Sequence, residues 1–392
     1  MKNRKKTKKI KLHKLAPIIL PNLSMKRNPP KQNFKNTHTL TRVCGVLRRR
    51  IKVGNVYIGG NAPISIQSMT NTDTANLKKT VSQIKKLEKA GCEIIRVAVP
   101  NMAAAKKLKK IKSQINIPLV ADIHFSHQLA LESIKQGVDK LRLNPGNINS
   151  LKKIAEVANS AKKKKIPIRI GVNAGSLEKD ILKKYKNKAT SQGMVESALR
   201  HIRILEKLNF TDIAISLKAS DIKRTVEAYK LLSKKVDYPL HIGITEAGTK
   251  FRGTIMSAIG IGYLLYEGIG DTIRVSLTAD PVKEIKVARE ILKSLNLRQE
   301  GPTITSCPTC GRTEINLIGL TKKVEQLVSG YEKPIHIAVM GCVVNGPGES
   351  READLAIIGG KKVGLICKKG KIIKKVEEKN LLKEFLKELK KV

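Results

Sequence analysis

Between Ser65 and Leu295, short apolar runs alternate with longer stretches in which apolar residues recur every three or four positions. The short runs fit buried strands, and the longer ones fit helices that lay one face on a sheet. The pattern predicts strands over Ser65–Met69, Ile94–Val99, Leu119–Ile123, Lys140–Leu143, Ile168–Val172, Asp212–Leu217, Leu240–Ile244 and Thr272–Leu277. Helices are expected over Leu77–Ala90, Ala103–Ile115, Gln128–Gln136, Leu151–Lys164, Met194–Leu208, Asp221–Lys235, Thr254–Glu267 and Pro281–Leu295. Eight strand–helix units point to an α/β fold, a closed (β/α)8 TIM barrel. An open doubly wound sheet is the alternative, but no phosphate-binding glycine fingerprint follows the first strand.

The pattern breaks at Arg298-Gln-Glu-Gly-Pro302. Strands over Ile335–Met340, Leu355–Ile358 and Lys362–Ile366, with helices over Thr313–Ser329 and Leu381–Leu389, then predict a small α+β domain. The expected organisation is a basic arm over 1–43, a barrel over 44–297 and a second domain over 298–392.

The formal net charge of +45 raises the question of nucleic acid, because dense Lys and Arg are the footprint of phosphate binding. Its distribution argues against that as the main function. The first 52 residues hold 17 Lys and Arg, and no acidic residue precedes Asp73. That stretch reads as a disordered basic arm, while the remaining lysines lie in clusters typical of solvated helix faces. An apolar run of 18 residues is lacking, so no membrane-spanning helix is expected. Six cysteines in 392 residues fit ligand chemistry in a reducing, cytoplasmic setting better than a disulfide framework.

Polar residues cluster at the carboxyl ends of the expected strands, where a barrel keeps its chemistry. They are Asn71, Arg96, His124, Arg142 with Asn144, Arg169 with Asn173, Lys218, Glu246, and Arg274 with Ser276. Buried cations are costly without anionic partners, and the acids at these ends are chiefly Asp122 and Glu246. Structural pairing therefore falls short, and a phosphate- or diphosphate-bearing ligand is expected, for which the Arg fork is suited. Glu246 is the candidate acid–base or charge-stabilising group. His241, at a strand start, reads equally as structure or as site.

The second domain carries Cys307-Pro-Thr-Cys310 and, 31 residues beyond Cys310, Gly341-Cys342-Val-Val-Asn345-Gly-Pro-Gly-Glu349. Three thiols in two short loops can share one metal centre, with Glu349 the candidate fourth ligand and Cys367 its rival. The spacing leaves zinc and an iron–sulfur cluster as alternatives. Two other readings follow from these features: a zinc-bearing barrel enzyme acting on a phosphorylated substrate, and an RNA-binding protein with a structural metal module.

The chain resembles the 4-hydroxy-3-methylbut-2-enyl diphosphate synthase family in its short bacterial form. The matching stretches include Gln67-Ser-Met-Thr-Asn-Thr72, Val120-Ala-Asp-Ile-His-Phe125, Arg142-Leu-Asn-Pro-Gly-Asn147, Leu217-Lys-Ala-Ser220, Gly243-Ile-Thr-Glu-Ala-Gly248 and both cysteine loops. The resemblance implies an oxidoreductase of non-mevalonate isoprenoid biosynthesis, opening 2-C-methyl-erythritol 2,4-cyclodiphosphate with two electrons. It implies a [4Fe–4S] cluster on Cys307, Cys310, Cys342 and Glu349, the last also a catalytic residue. It implies substrate binding by Arg96, Arg142, Arg169, Asn173, Lys218, Arg274 and Ser276, with Glu246 catalytic. Flavodoxin or ferredoxin as electron donor and a head-to-tail homodimer are implied as well. The arm before about Thr41 and the stretch Thr249-Lys-Phe-Arg252 depart from the family pattern.

Overall fold

The computed structural model describes residues 48–123, 126–143, 148, 150–344 and 346–392. The basic arm, His124 and Asn144 lie outside the described residues. Helices begin where the sequence supplies acceptors for their free N–H groups. The side chains of Asn76, Asn101, Ser126 and Asp221 each cap a following helix, and Asp280 does so just ahead of Pro281.

Eight parallel strands form one sheet: β3 (Ser65–Met69), β4 (Ile94–Ala98), β5 (Leu119–Ile123), β6 (Lys140–Leu143), β7 (Ile168–Asn173), β8 (Ile213–Lys218), β9 (His241–Ile242) and β10 (Thr272–Ile273). Their order is β8-β7-β6-β5-β4-β3-β10-β9, and a parallel bridge between Ile215 and Leu240 brings the two edges together. The expected TIM barrel is observed. The last two strands ladder over only two residues each. Beyond them the backbones crowd: a Cβ on Gly243 would lie 2.4 Å from the Arg274 carbonyl oxygen.

Helices α1 (Leu77–Lys89), α2 (Met102–Lys112), α3 (His127–Lys135), α4 (Leu151–Lys163), α6 (Ser191–Lys207), α7 (Ile222–Ser233), α8 (Lys250–Tyr266) and α9 (Pro281–Ser294) follow the strands, with a short α5 (Lys179–Lys184) after β7. The main apolar core lies between sheet and helices, filled from the strands by residues such as Ile66, Ile95, Val97, Leu141, Ile170 and Ile215. Strand side chains alternate in direction, so the intervening positions face the barrel interior. In most barrels those positions hold Val, Ile and Leu. Here they hold Gln67, Arg96, Asp122, Lys140, Arg142, Arg169, Ser216, Lys218 and His241, all buried. The polar interior is the property that positions the site.

The amino-terminal end of the barrel is closed by a hairpin absent from the sequence-based expectation, β1 (Ile51–Val53) against β2 (Val56–Ile58). Ile51, Val53 and Ile58 pack on Ile94, Val120 and Ala214, an apolar floor beneath the charged interior. Gly54 makes the turn at φ +58.

The second sheet has the order β11-β12-β13-β14-β15: β11 (Pro302–Ser306), β12 (Ile335–Met340), β13 (Leu355–Gly360), β14 (Val363–Lys368) and β15 (Lys371–Glu377). The first three strands run parallel and the last two pairings are antiparallel. Helices α10 (Leu317–Val328) and α12 (Leu381–Leu389) cover it through Val324, Val328 and Phe385, with a short α11 (Gly346–Glu349) between β12 and β13. The helix expected from Thr313 begins instead at Leu317. Thr313 Oγ1 is engaged by the Cys310 N–H, and Asn316 supplies the cap.

The segment joining the two sheets is pinned to the barrel floor. Arg298 donates to the Ile64 carbonyl at 2.8 Å and to Glu93 at 2.7 Å, just before β3 and β4 begin. Arg289 pairs with Glu300 at 2.9 Å, and Lys293 donates to the Pro302 carbonyl at 2.6 Å. The connection thus leaves from the end opposite the strands' carboxyl termini.

Candidate active site

The interior-facing side chains of β4 to β9 converge toward the carboxyl-terminal mouth. Asp122 on β5 lies 3.0 Å from Arg142 Nη1 and 3.5 Å from Arg96 Nε, so one carboxylate serves two guanidinium groups. Arg96 also points Nη2 at Met69 Sδ, 3.0 Å away. Arg169 donates from Nη1 to Ser216 Oγ, while its Nε and Nη2 have no partner among the described residues. Lys218 Nζ lies 3.2 Å from His241 Nε2. Gly171 admits the Arg142 side chain, since a Cβ there would lie 2.5 Å from its Nε.

The electrostatics follow from this crowding. Burial, and then repulsion from Arg96 and Arg142, depress Arg169 well below the usual arginine range. Burial and the nearby Arg274 and Arg169 depress Lys218 well below its ordinary value. Lys140, fully buried with Nζ lacking a partner among the described residues, is pushed down to about 7 by burial and by Arg169 and Arg96. Each shift reflects the cost of holding positive charge away from water beside like charges. A bound polyanion relieves that cost, and guanidinium forks match its oxygens.

The mouth opens into a cavity of about 480 Å³ lined by Asn173, Ser176, Lys218, Ser220, Arg224 and Glu246, among others. Glu246 is exposed there and holds φ at +53, a left-handed conformation uncommon for a residue with a side chain. Arg274 and Ser276 are half-buried just beyond β10. Asn71 is an exposed residue hydrogen-bonded to Gln83. His241 is fully buried and takes part through Lys218. Lys140 was not singled out by sequence: it begins its strand, and only the barrel pleat shows that it points inward.

The thiol loops are built by neighbouring parallel strands. Ser306 on β11 is in register with Val339 on β12, so Cys307 and the Gly341–Cys342 turn emerge side by side. Gly341 N–H donates to Cys307 Sγ at 3.2 Å, and Glu314 N–H donates to the Gly341 carbonyl at 3.0 Å. Cys310 is exposed, and its thiol is lowered chiefly by the Arg312 backbone N–H. Cys367 is buried in an apolar group with Ala338, Met340 and Ile358, and burial raises its thiol. Cys92 donates to the Ile94 carbonyl inside the barrel core and is raised to about 12.

Glu349 is exposed at the end of α11. Among the described residues, no three His, Cys, Asp or Glu side chains are gathered as closely as a metal site requires. The donor set nonetheless suits a thiolate-bound cluster. Three sulfurs arise from two stitched loops, one is already biased toward the thiolate, and an N–H points at another.

Residues 48–289 match the GcpE TIM-barrel domain, and residues 303–391 match the GcpE protein C-terminal domain. The chain belongs to the GcpE family. A relative from Caldanaerobacter subterraneus subsp. tengcongensis is 62% identical, covering 88% of this chain and 97% of its own. One from Clostridium acetobutylicum is 60% identical, covering 87% and 97% respectively. Both are named 4-hydroxy-3-methylbut-2-en-1-yl diphosphate synthase (flavodoxin). The GcpE match thus bears out the resemblance and the expected barrel with a second domain.

Proposed function

We propose that this GcpE chain reductively opens 2-C-methyl-erythritol 2,4-cyclodiphosphate to 4-hydroxy-3-methylbut-2-enyl diphosphate. Two electrons are taken up, the ring C–O bond to phosphate breaks to leave an anionic phosphate oxygen, and a hydroxyl leaves with one proton as water. The observation that carries this reading is the barrel interior: Arg96, Arg142, Arg169 and Lys218 buried together around Asp122.

Arg96, Arg142, Arg169, Lys218 and Arg274 hold the diphosphate and neutralise it as a leaving group, while Asn173 and Ser276 supply uncharged hydrogen bonds. Fixed cations in a water-poor site stabilise developing negative charge far better than solvent does. Glu246, on the cavity rim with Lys218, serves as proton donor or charge partner at the reacting carbon. Cys307, Cys310, Cys342 and Glu349 would hold a [4Fe–4S] cluster, which would supply the two electrons and Lewis-acid character. Glu349 would be the oxygen ligand beside three thiolates, a hard donor among soft ones.

Flavodoxin, named in the relatives, is the expected donor, with ferredoxin as the alternative. The connection between the domains leaves from the barrel floor, opposite the mouth. This supports a head-to-tail homodimer in which one copy's thiol loops serve the other's mouth. The net charge of +45 favours encounter with an acidic redox protein. Among the described residues no helix is long and apolar enough to cross a membrane and five cysteines are free thiols, with which a cytoplasmic location accords. Anaerobic incubation with reduced flavodoxin tests the proposal. Conversion of the cyclodiphosphate to the allylic diphosphate is expected, and an untouched substrate with cluster-loaded protein would refute it.

A further inference from the structure

Lys140 is the first residue of β6 and points into the barrel, where its Nζ is fully buried and has no partner among the described residues. Alternate strands supply each layer of a barrel interior. The ladder registers put Lys140 next to the floor, level with Ile94 and Ala214. Arg169 stands one layer above it, and Arg96, Arg142 and Arg274 one layer above that. The lysine thus lies at the deep end of the cation group, under the guanidinium layers that face the mouth.

Its surroundings offer no counter-charge among the described residues. Arg169 on β7, Arg96 on β4, Arg142 on its own strand and Arg274 beyond β10 are like-charged. Strands β8 and β9 present Lys218 and His241, and β3 and β10 present the neutral Gln67 and Thr272. Asp122 on β5 is engaged by Arg142 and Arg96, and the floor hairpin presents Ile51, Val53 and Ile58. Burial, and then Arg169 and Arg96, hold the amine down to about 7. A Met of similar length would fill this place without the cost of a buried amine that lacks a partner. What the amine adds is a charge that can form on demand. Gln67 Oε1 and Thr272 Oγ1, each without a partner among the described residues, are acceptors facing the same interior.

We infer that Lys140 is a further anion-binding residue of the barrel, a counter-charge beneath the guanidinium layers that forms as a diphosphate enters above it. An anion nearby favours the charged amine, and the low dielectric of the interior extends its reach. The neutral amine takes one proton from solvent and becomes an ammonium, so proton uptake accompanies ligand binding. The cyclic diphosphate does not bring that proton: each phosphorus carries one oxygen that is already ionised at neutral pH. The new charge is then in place when ring opening adds a further anionic oxygen to the ligand. This inference rests on the proposed diphosphate substrate and adds to it a residue and a proton.

The test is isothermal titration calorimetry of the cyclodiphosphate into the cluster-loaded chain, in buffers of different ionisation enthalpy at about pH 8.5. Lys218 and His241 can add protons of their own, so Lys140 is read from a difference. Lys140→Met should take up about one proton fewer per ligand than the native protein, and its slope of log Kd against pH above 7 should be smaller by about one. At pH 7 its Kd should be about ten-fold or more weaker. Lys140→Arg, which stays charged, should lose the same proton yet keep the affinity at pH 7. Thermal unfolding confirms that each variant is folded. A Lys140→Met protein with the native proton count and slope would overturn this inference alone. A native protein that binds no cyclodiphosphate would overturn the functional reading, and this inference with it.

Discussion

Lys218 and His241 form a buried pair, with Nζ 3.2 Å from Nε2, and Tyr229 bolts their two strands together. The Tyr229 hydroxyl accepts from the Leu217 N–H at 3.0 Å and donates to the His241 carbonyl at 2.6 Å. Burial and the positive charge of Lys218 and Arg169 hold the His241 imidazole well below its ordinary pKa, so it is neutral and can accept from the lysine. His241 thereby aims the ammonium at the mouth.

His241→Leu should raise KM about ten-fold or more, the scale of a lost hydrogen bond to a charged group. His241→Gln, which keeps an acceptor, should recover most of the loss. In a Lys218→Met background, His241→Leu should add little, because its contribution runs through the lysine. Steady-state kinetics on the four variants check this, and additive losses would show a general structural role.

Lys140 gives the barrel a pH signature. Its folded pKa of about 7 lies below the ordinary 10.5, so the unfolded chain binds more protons between those values. Stability of the ligand-free protein should therefore rise as pH increases from about 7 toward 10.5, in this group's contribution. Lys140→Met should flatten that rise and stabilise the protein most at or below pH 7. Thermal unfolding across the range checks it, and an unchanged slope would show that Lys140 is not strained.

Arg142→Ala and Arg169→Ala should weaken substrate binding by about 2 kcal/mol or more, roughly thirty-fold, as expected for truncating a buried charge partner. Iron content should stay intact in both. Equal loss of iron would place these residues in the structure rather than the site.

Cys307→Ser, Cys310→Ser and Cys342→Ser should each lose most bound iron, whereas Cys367→Ser should retain it, since that thiol sits in an apolar group. Glu349→Ala should keep much of the iron and lose turnover. A Cys367→Ser protein without iron beside a fully active Glu349→Ala protein would reverse the ligand assignment.

The barrel was legible because its strands and helices each bury a face on the other, which writes their period into the sequence. Leu119–Ile123, Lys140–Leu143 and Leu381–Leu389 stand as the pattern predicts. The floor hairpin was not legible, because Ile51–Val53 and Val56–Ile58 are three-residue strands following the basic arm. Strands β11 and β15 were missed too, being half-exposed and, in β15, rich in lysine. The cations at the strand ends could be read from residue type and position. The Lys218–His241 pair and inward-facing Lys140 could not, because they depend on how eight strands close on one another.

The central claim is that two stitched loops hold an iron–sulfur cluster serving the cation-lined mouth. Iron and acid-labile sulfide per chain, with a visible spectrum on protein purified without oxygen, test it most directly. The account predicts about four of each and a brown protein, the stoichiometry of a cubane cluster. One zinc and no sulfide would contradict it and leave a barrel that binds a phosphorylated ligand without redox chemistry.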